Sequence, residues 1–344
     1  MRIVGTNGND TLTGTELADE IYGAGGNDLI YGRGGGDLID AGDGADIVLA
    51  GDGDDVVTGG NGDDVLFGGS GVDGLIYTDQ FGVAVDLAYY NPGTPDEYGQ
   101  ALTPSGTDQL VGFEDVVGSR GADVLRGNGA ANFLNGLAGG DRLEGRGGDD
   151  TLFGGEGDDQ ILGGAGRDNL QGGTGTDQIY GGGDGDLIYG EDDADFLFGQ
   201  SGDDWIDGGS GADRLEGADG ADTLTGGLGA DVMLGGPGAD TFRYLGSAKA
   251  GYDSGVGDAV DRIADFGKGD RIDLHAIDAR SGNANPFDDF SFIGTAAFSA
   301  EGQVRWFRSG PDVIVAVNTS GTSTAEFQIR LSNETSVAAS DFVL

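Results

Sequence analysis

The chain has no cysteine, a single histidine and only 17 lysines and arginines among its 344 residues. Without cysteine there is no disulfide framework and no thiolate metal site, so any staple must be of another kind. One histidine cannot form the H-E-x-x-H pair of zinc hydrolases. His275, in Asp273-Leu274-His275-Ala276-Ile277, reads as a surface or strand-edge residue. No G-x-S-x-G occurs, and no serine nucleophile with a partnered base is evident. Carboxylate pairs occur throughout, so spacing singles out no glycosidase pair. The expectation is that the chain is not an enzyme. The shortage of basic residues excludes a nucleic-acid footprint. No apolar run approaches the ~20 residues of a membrane span, and Met1 to Gly8 lacks the apolar stretch of a secretory signal peptide.

What is abundant is glycine, at 74 residues, and acid, at 61 Asp and Glu, for a net charge of −44. Such composition alone suggests a solvated or disordered chain. The order of the residues argues otherwise. From Gly118 to Arg243 the pattern G-G-x-G-x-D-x-U-x, with U apolar, repeats for fourteen rows without an insertion. The sixth position is Asp in thirteen rows and Asn132 in one; the eighth is apolar in all, from Leu125 to Phe242. Chance composition would let the Asp and the aliphatic drift in phase. An earlier array of eight rows runs from Gly5 to Ile76, with Leu17 in place of the fourth-position glycine of row two and Ala41 and Ala50 in place of first-position glycines.

Four segments follow: a first array at 1–76, a β-rich spacer at 77–117, a second array at 118–243 and a region of alternating apolar residues at 244–344. In the spacer Val83, Val85 and Leu87 alternate before Asn91-Pro92-Gly93-Thr94-Pro95 breaks the strand. In the last segment short strands are expected around Phe290–Ile293, Val304–Phe307, Val313–Val317 and Phe327–Leu331. The fold class is all-β: a parallel β-roll in two arrays, with a C-terminal antiparallel cap.

The nonapeptide physically suits calcium. A hard cation takes six to eight oxygens from carboxylates and backbone carbonyls. Glycines tolerating positive φ let the loop curl and aim its carbonyls, and the Asp adds charge. Two rows make one coil, so alternate rows stack about 4.8 Å apart, and an ion can use Asp159 with Asp177, or Asp168 with Asp186. The expected metal ligands are Asp10, Asp19, Asp28, Asp37, Asp46, Asp55, Asp64 and Asp73 in the first array. In the second they are Asp123, Asp141, Asp150, Asp159, Asp168, Asp177, Asp186, Asp195, Asp204, Asp213, Asp222, Asp231 and Asp240. Filling every gap takes about eighteen ions, about +36 against −44, and leaves a charge suited to a soluble protein. Weak sites are expected at Asn132, which lacks the charge, and where Leu17, Ala130, Asp184 and Asp193 replace the fourth-position glycine. No EF-hand loop is present.

These rows resemble the nonapeptides of RTX proteins, the hemolysin-type calcium-binding repeat. The run Gly106 to Gly118 resembles the spacer that leads into a fresh RTX array. Gly238 to Leu344 resembles the C-terminal domain of serralysin-type secreted metalloproteases, through Asp261-Arg262-Ile263-Ala264-Asp265-Phe266, Ile272-Asp273-Leu274, Ile277-Asp278-Ala279, Phe292-Ile293-Gly294 and Asp341-Phe342-Val343-Leu344. Asn318-Thr319-Ser320-Gly321-Thr322 stands where those relatives often carry an Asp-rich turn. The resemblance implies Ca2+ as cofactor, folding on binding it, an extracellular location, and export by type I (ABC) secretion machinery that reads the last residues. The alternative is a carbohydrate-binding or adhesin-like module with a glycan or surface partner. Finally, Leu29, Tyr31, Ile47, Leu49, Val65 and Phe67 form an outward apolar strip on one sheet of the first array, and the spacer, through Val83, Val85, Leu87 and Tyr89, is expected to fold back over it.

Overall fold

The structure, a computed structural model, describes all residues except 79–80, 89–98, 246–259, 278–289 and 320–322. Asn91 to Pro95, Tyr89, Asp278-Ala279 and Ser320 to Thr322 therefore lie outside the described residues. The chain forms two compact units, Met1–Asn169 and Leu170–Leu344. The fold is the all-β parallel solenoid expected from the repeat, with an antiparallel segment near the C-terminus.

In the first unit each x-U-x tail is a strand, and most run on into the next loop, as in Leu29–Gly34, Leu38–Asp43, Ile47–Asp52 and Val56–Asn61, while Thr11–Thr13, Glu20–Tyr22, Gly74–Ile76 and Val124–Arg126 stop at the tail. Strands pair in parallel with the strand eighteen residues away: Ile30 opposes Val48, and Ile39 opposes Val57. Consecutive rows thus belong to opposite sheets. The eighth-position side chains, from Ile21 through Leu75 and from Leu125 through Ile161, are buried between the sheets. Leu12, in the first row, is only half-buried. Leu, Ile and Val fill this column because a period-two strand buried on one face needs one apolar side chain per row.

The spacer joins the same sheets. Gly106–Val111 pairs in parallel with Val65–Ser70, placing Leu110 opposite Leu66. Asp115–Val117 bridges Gly74–Ile76 and Phe133–Ala138. Ala84–Asp86 pairs in parallel with Val124–Arg126 and antiparallel with Gly99–Thr103. Val83 and Val85 are buried, so they extend the interior column and do not cover the outer strip. On that strip Tyr31, Ile47 and Leu49 stay 37–43% exposed, contrary to the expected cover. The spacer is anchored instead by Asp86, whose two carboxylate oxygens accept from the guanidinium of Arg146 at 2.8 Å each.

The second unit repeats the scheme. Ile179 opposes Leu197, Ile188 opposes Ile206, and Leu215 opposes Met233. Beyond the last row the pairing continues with a longer step: Met233 opposes Ile263, and Phe242 opposes Ile272. Gln303–Ser309, Asp312–Asn318 and Phe327–Leu331 form an antiparallel meander, and the last of them lies parallel to Asp261–Ile263. Phe342–Val343 adds to Arg271–Asp273, with Phe342 buried against Phe292. His275 is exposed.

Candidate metal centre

The sixth-position carboxylates form a ladder inside the molecule. The Asp10 amide donates to Asp28 Oδ1 at 2.8 Å, Asp28 to Asp46 at 2.7 Å, and Asp46 to Asp64 at 2.8 Å. On the other sheet of the first unit the chain runs Asp19, Asp37, Asp55, Asp73 at 2.7–2.9 Å. Past the spacer, Asp123 donates to Asp141, Asp141 to Asp159, Asn132 to Asp150 and Asp150 to Asp168, at 2.7–2.8 Å. In the second unit Asp177, Asp195, Asp213 and Asp231 form one ladder, and Asp186, Asp204, Asp222 and Asp240 the other, at 2.8–3.0 Å.

One oxygen of each carboxylate that receives a ladder amide is thereby used. In Asp28, Asp37, Asp46, Asp55, Asp64 and Asp73, in Asp141 and Asp150, and in Asp195, Asp204, Asp213, Asp222 and Asp240, the other oxygen, Oδ2, is buried and has no hydrogen-bond partner. A buried carboxylate oxygen without a donor is costly. Burial is the largest cause raising the pKa of Asp46, Asp55 and Asp141 to about 6, of Asp64, Asp150, Asp213 and Asp222 to about 7, and of Asp195 to about 8. The ladder amides oppose the shift, and neighbouring carboxylates, Asp177 and Asp213 beside Asp195 among them, add to it.

Further oxygens converge on the same places. A Cβ built on Gly190 would run into Asp195 Oδ2 and the carbonyl oxygen of Gly208, and one on Gly181 into Asp186 Oδ2 and the Gly199 carbonyl. At the first position space, not a left-handed backbone, favours glycine: none of these glycines has positive φ, which corrects the expectation for that position, and two rows accommodate a Cβ there, at Ala41 and Ala50. Positive φ belongs to the second and fourth positions, including Asp184 and Asp193 at 67° and 76°. Among the described residues no three Asp, Glu, His or Cys side chains gather at one point. Most ligand oxygens must then come from the main chain, as calcium allows and zinc does not. Two stacked carboxylates and surrounding carbonyls, with no nitrogen or sulfur donor, fit Ca2+.

Four ladder residues escaped the repeat pattern. Asp64 donates to Asp108 at 3.2 Å, Asp73 to Glu114 at 2.9 Å, Asp231 to Asp261 at 3.0 Å and Asp240 to Asp270 at 3.1 Å. For three of them the signal was the sixth-to-eighth spacing with at most one of the repeat's glycines in place: Asp108-Gln109-Leu110, Asp261-Arg262-Ile263 and Asp270-Arg271-Ile272. Glu114 has the same spacing, in Glu114-Asp115-Val116 after Gly112, but with Glu in place of the Asp that marks the sixth position. Two of these carboxylates have their second oxygen occupied. Tyr77 Oη lies 3.3 Å from Asp108 Oδ2, and the Gly267 amide donates to Asp270 Oδ2 at 2.8 Å.

The fold and its columns of buried carboxylates define a calcium-type β-roll. The RTX calcium-binding nonapeptide repeat family matches residues 4–39, 40–75, 108–143, 135–170, 171–206 and 207–242, together more than half of the chain. The chain belongs to this family, whose repeats bind Ca2+ as a structural ligand. Among solved structures it is similar to the solution structure of the AlgE6R3 subunit from the Azotobacter vinelandii mannuronan C5-epimerase. Identity there is 30% over 45% of this chain and 80% of that one, with a TM-score of 0.31. No curated protein matches the chain.

Proposed function

We propose that this RTX protein is a secreted, non-enzymatic β-roll that leaves the cell unfolded through a type I exporter and folds outside it on binding calcium. The reading is carried by the columns of buried, partnerless carboxylate oxygens, which make the metal-free roll unfavourable. Bound Ca2+ supplies divalent positive charge between stacked carboxylates. The chain's own residues do the rest. The Asp Oδ2 atoms and loop carbonyls would hold the ion, and the ladder amides fix each carboxylate's orientation. Extracellular calcium modules bind with Kd of about 10⁻⁴–10⁻³ M, so a low-calcium cytosol leaves such a chain open and an exterior milieu closes it.

The terminal segment suits the same order of events. Phe342–Val343 is paired and packed in the folded state, so an exporter reading Asp341 to Leu344 would meet it only before folding. Far-ultraviolet circular dichroism of the full chain, first in EGTA and then titrated with Ca2+, tests the folding half. A β spectrum appearing near millimolar Ca2+ is expected, and one that chelation leaves unchanged refutes it. Deleting Asp341–Leu344 should retain the chain in cells carrying a matching exporter.

A further inference from the structure

The rows are of two kinds. In most, the second residue is left-handed: Ala24, Arg33, Leu137, Arg146, Glu191, Gln200 and Ala218 have φ of 74–83°, and glycine fills this position in the others. In four rows the second residue is Thr6, Thr15, Ser119 or Asn128, and none of these has positive φ. A β-branched threonine is strongly disfavoured there. Serine, threonine and asparagine offer a side-chain turn in its place.

That turn is present in all four. Thr6 Oγ1 accepts from the Gly8 amide at 3.2 Å, Thr15 Oγ1 from Leu17 at 3.3 Å, Ser119 Oγ from Gly121 at 3.1 Å and Asn128 Oδ1 from Ala130 at 2.8 Å. It swings the second-position amide onto the sixth-position side chain. Thr6 donates to Asp10 Oδ2 at 2.6 Å, Thr15 to Asp19 Oδ2 at 2.6 Å, Ser119 to Asp123 Oδ2 at 2.6 Å and Asn128 to Asn132 Oδ1 at 2.8 Å. The Thr6 and Thr15 hydroxyls also reach Oδ2, at 2.8 and 2.9 Å. In a left-handed row such as that of Asp46 or Asp222, the same oxygen is buried and has no partner.

We infer that the second residue of each nonapeptide decides whether its row takes calcium: a residue that enters the left-handed region opens the row to the ion, and a Ser, Thr or Asn turn closes it with the protein's own donors. The closed rows are the first two of each array. Each array therefore starts on coils whose carboxylates need no metal, and Asn132, which could not offer a charge, sits in one of them. Asp10, Asp19 and Asp123 then serve as built-in ends for the ladder and not as ligands. The inference rests on the calcium reading proposed above and assigns its sites row by row.

Calcium stoichiometry, measured by equilibrium dialysis on the full-length protein, tests it. Thr6→Gly converts Gly5-Thr6-Asn7-Gly8-Asn9-Asp10 into the full open loop and should bind at least one ion more than wild type. Thr6→Ser should keep the wild-type number. Ala218→Thr, at a position where a Cβ already stands, should close the row of Asp222 and lose at least one ion, with circular dichroism confirming that the chain still folds in excess calcium. If Ala218→Thr does not fold, Thr6→Gly decides alone. Wild-type stoichiometry in Thr6→Gly together with a folded Ala218→Thr, or in Thr6→Gly alone where the other does not fold, overturns the row rule and leaves the calcium reading standing. A wild-type chain that binds no calcium overturns both.

Discussion

At the scale of single residues, the three glycines of a row answer to different constraints. The first is favoured by oxygens that converge on the space beside it, although Ala41 and Ala50 fit at that position. The second needs positive φ, and where it is glycine a Cβ would also approach the neighbouring coil, as at Gly42 against the Ala24 carbonyl oxygen; in other rows Leu, Arg, Glu, Gln and Ala stand there at a cost of about 1–2 kcal/mol each. The fourth is held by both. Gly157 has φ of 130°, and a Cβ there would run into the Gly139 carbonyl oxygen. Gly157→Ala should thus cost roughly 1–3 kcal/mol, as overpacked sites do, and lower the melting temperature in saturating calcium. Gln200→Gly, which removes a left-handed side chain at φ 77°, should not lower it. A loss in Gln200→Gly would mean that contacts of the Gln200 side chain outweigh the cost of its left-handed φ. The sequence pattern could not separate the three cases, since it records only that glycine is present.

At the scale of elements, the interior column and the Asp ladder were legible in advance because both recur every nine residues. The parallel pairing of Leu66 with Leu110 and of Met233 with Ile263 was not. There the partners are separated by more than the eighteen residues of one coil, so the period in sequence breaks while the register in space does not. The Asp-x-aliphatic spacing survives at Asp108, Asp261 and Asp270, but with at most one of the repeat's glycines in place it is too short to stand out. The spacer was misplaced for a related reason: its alternating valines look the same whether they cover a sheet or extend one, and only pairing with Val124–Arg126 decides. The strip it was expected to cover remains open at Ile47. Ile47→Lys should then change calcium-saturated thermal stability by no more than about 0.5 kcal/mol, the range of ordinary surface substitutions. A loss of several times that size would show that Ile47 is packed after all.

At the scale of the whole molecule, the net charge of −44 and the buried carboxylates make pH and calcium interchangeable in part. In the metal-free roll Asp46, Asp64, Asp150, Asp195, Asp213 and Asp222 have pKa values of about 6 to 8, against an ordinary 3.8, chiefly because burial penalises the anion. A folded state with raised pKa holds protons more tightly than the unfolded chain. Stability from these groups is therefore fully present below about pH 3.8 and is lost as pH rises through 6 to 8. Self-repulsion among the remaining acids acts in the same direction. In EGTA, lowering the pH from 8 to 5 should raise the β signal and the melting temperature. With calcium the sign reverses, because the ion needs the ionised carboxylates and must displace their protons. The Ca2+ midpoint for folding should move to higher concentration as pH falls, and binding at pH 7 should release protons, seen as a buffer-dependent heat in calorimetry. Asp19 is the internal control: the Met1 ammonium and then the Thr15 amide hold its pKa below the ordinary value, so it stays ionised through this range and contributes to neither trend. A metal-free chain whose stability rises with pH between 5 and 8 would contradict the burial of these carboxylates and, with it, the reason this roll needs calcium.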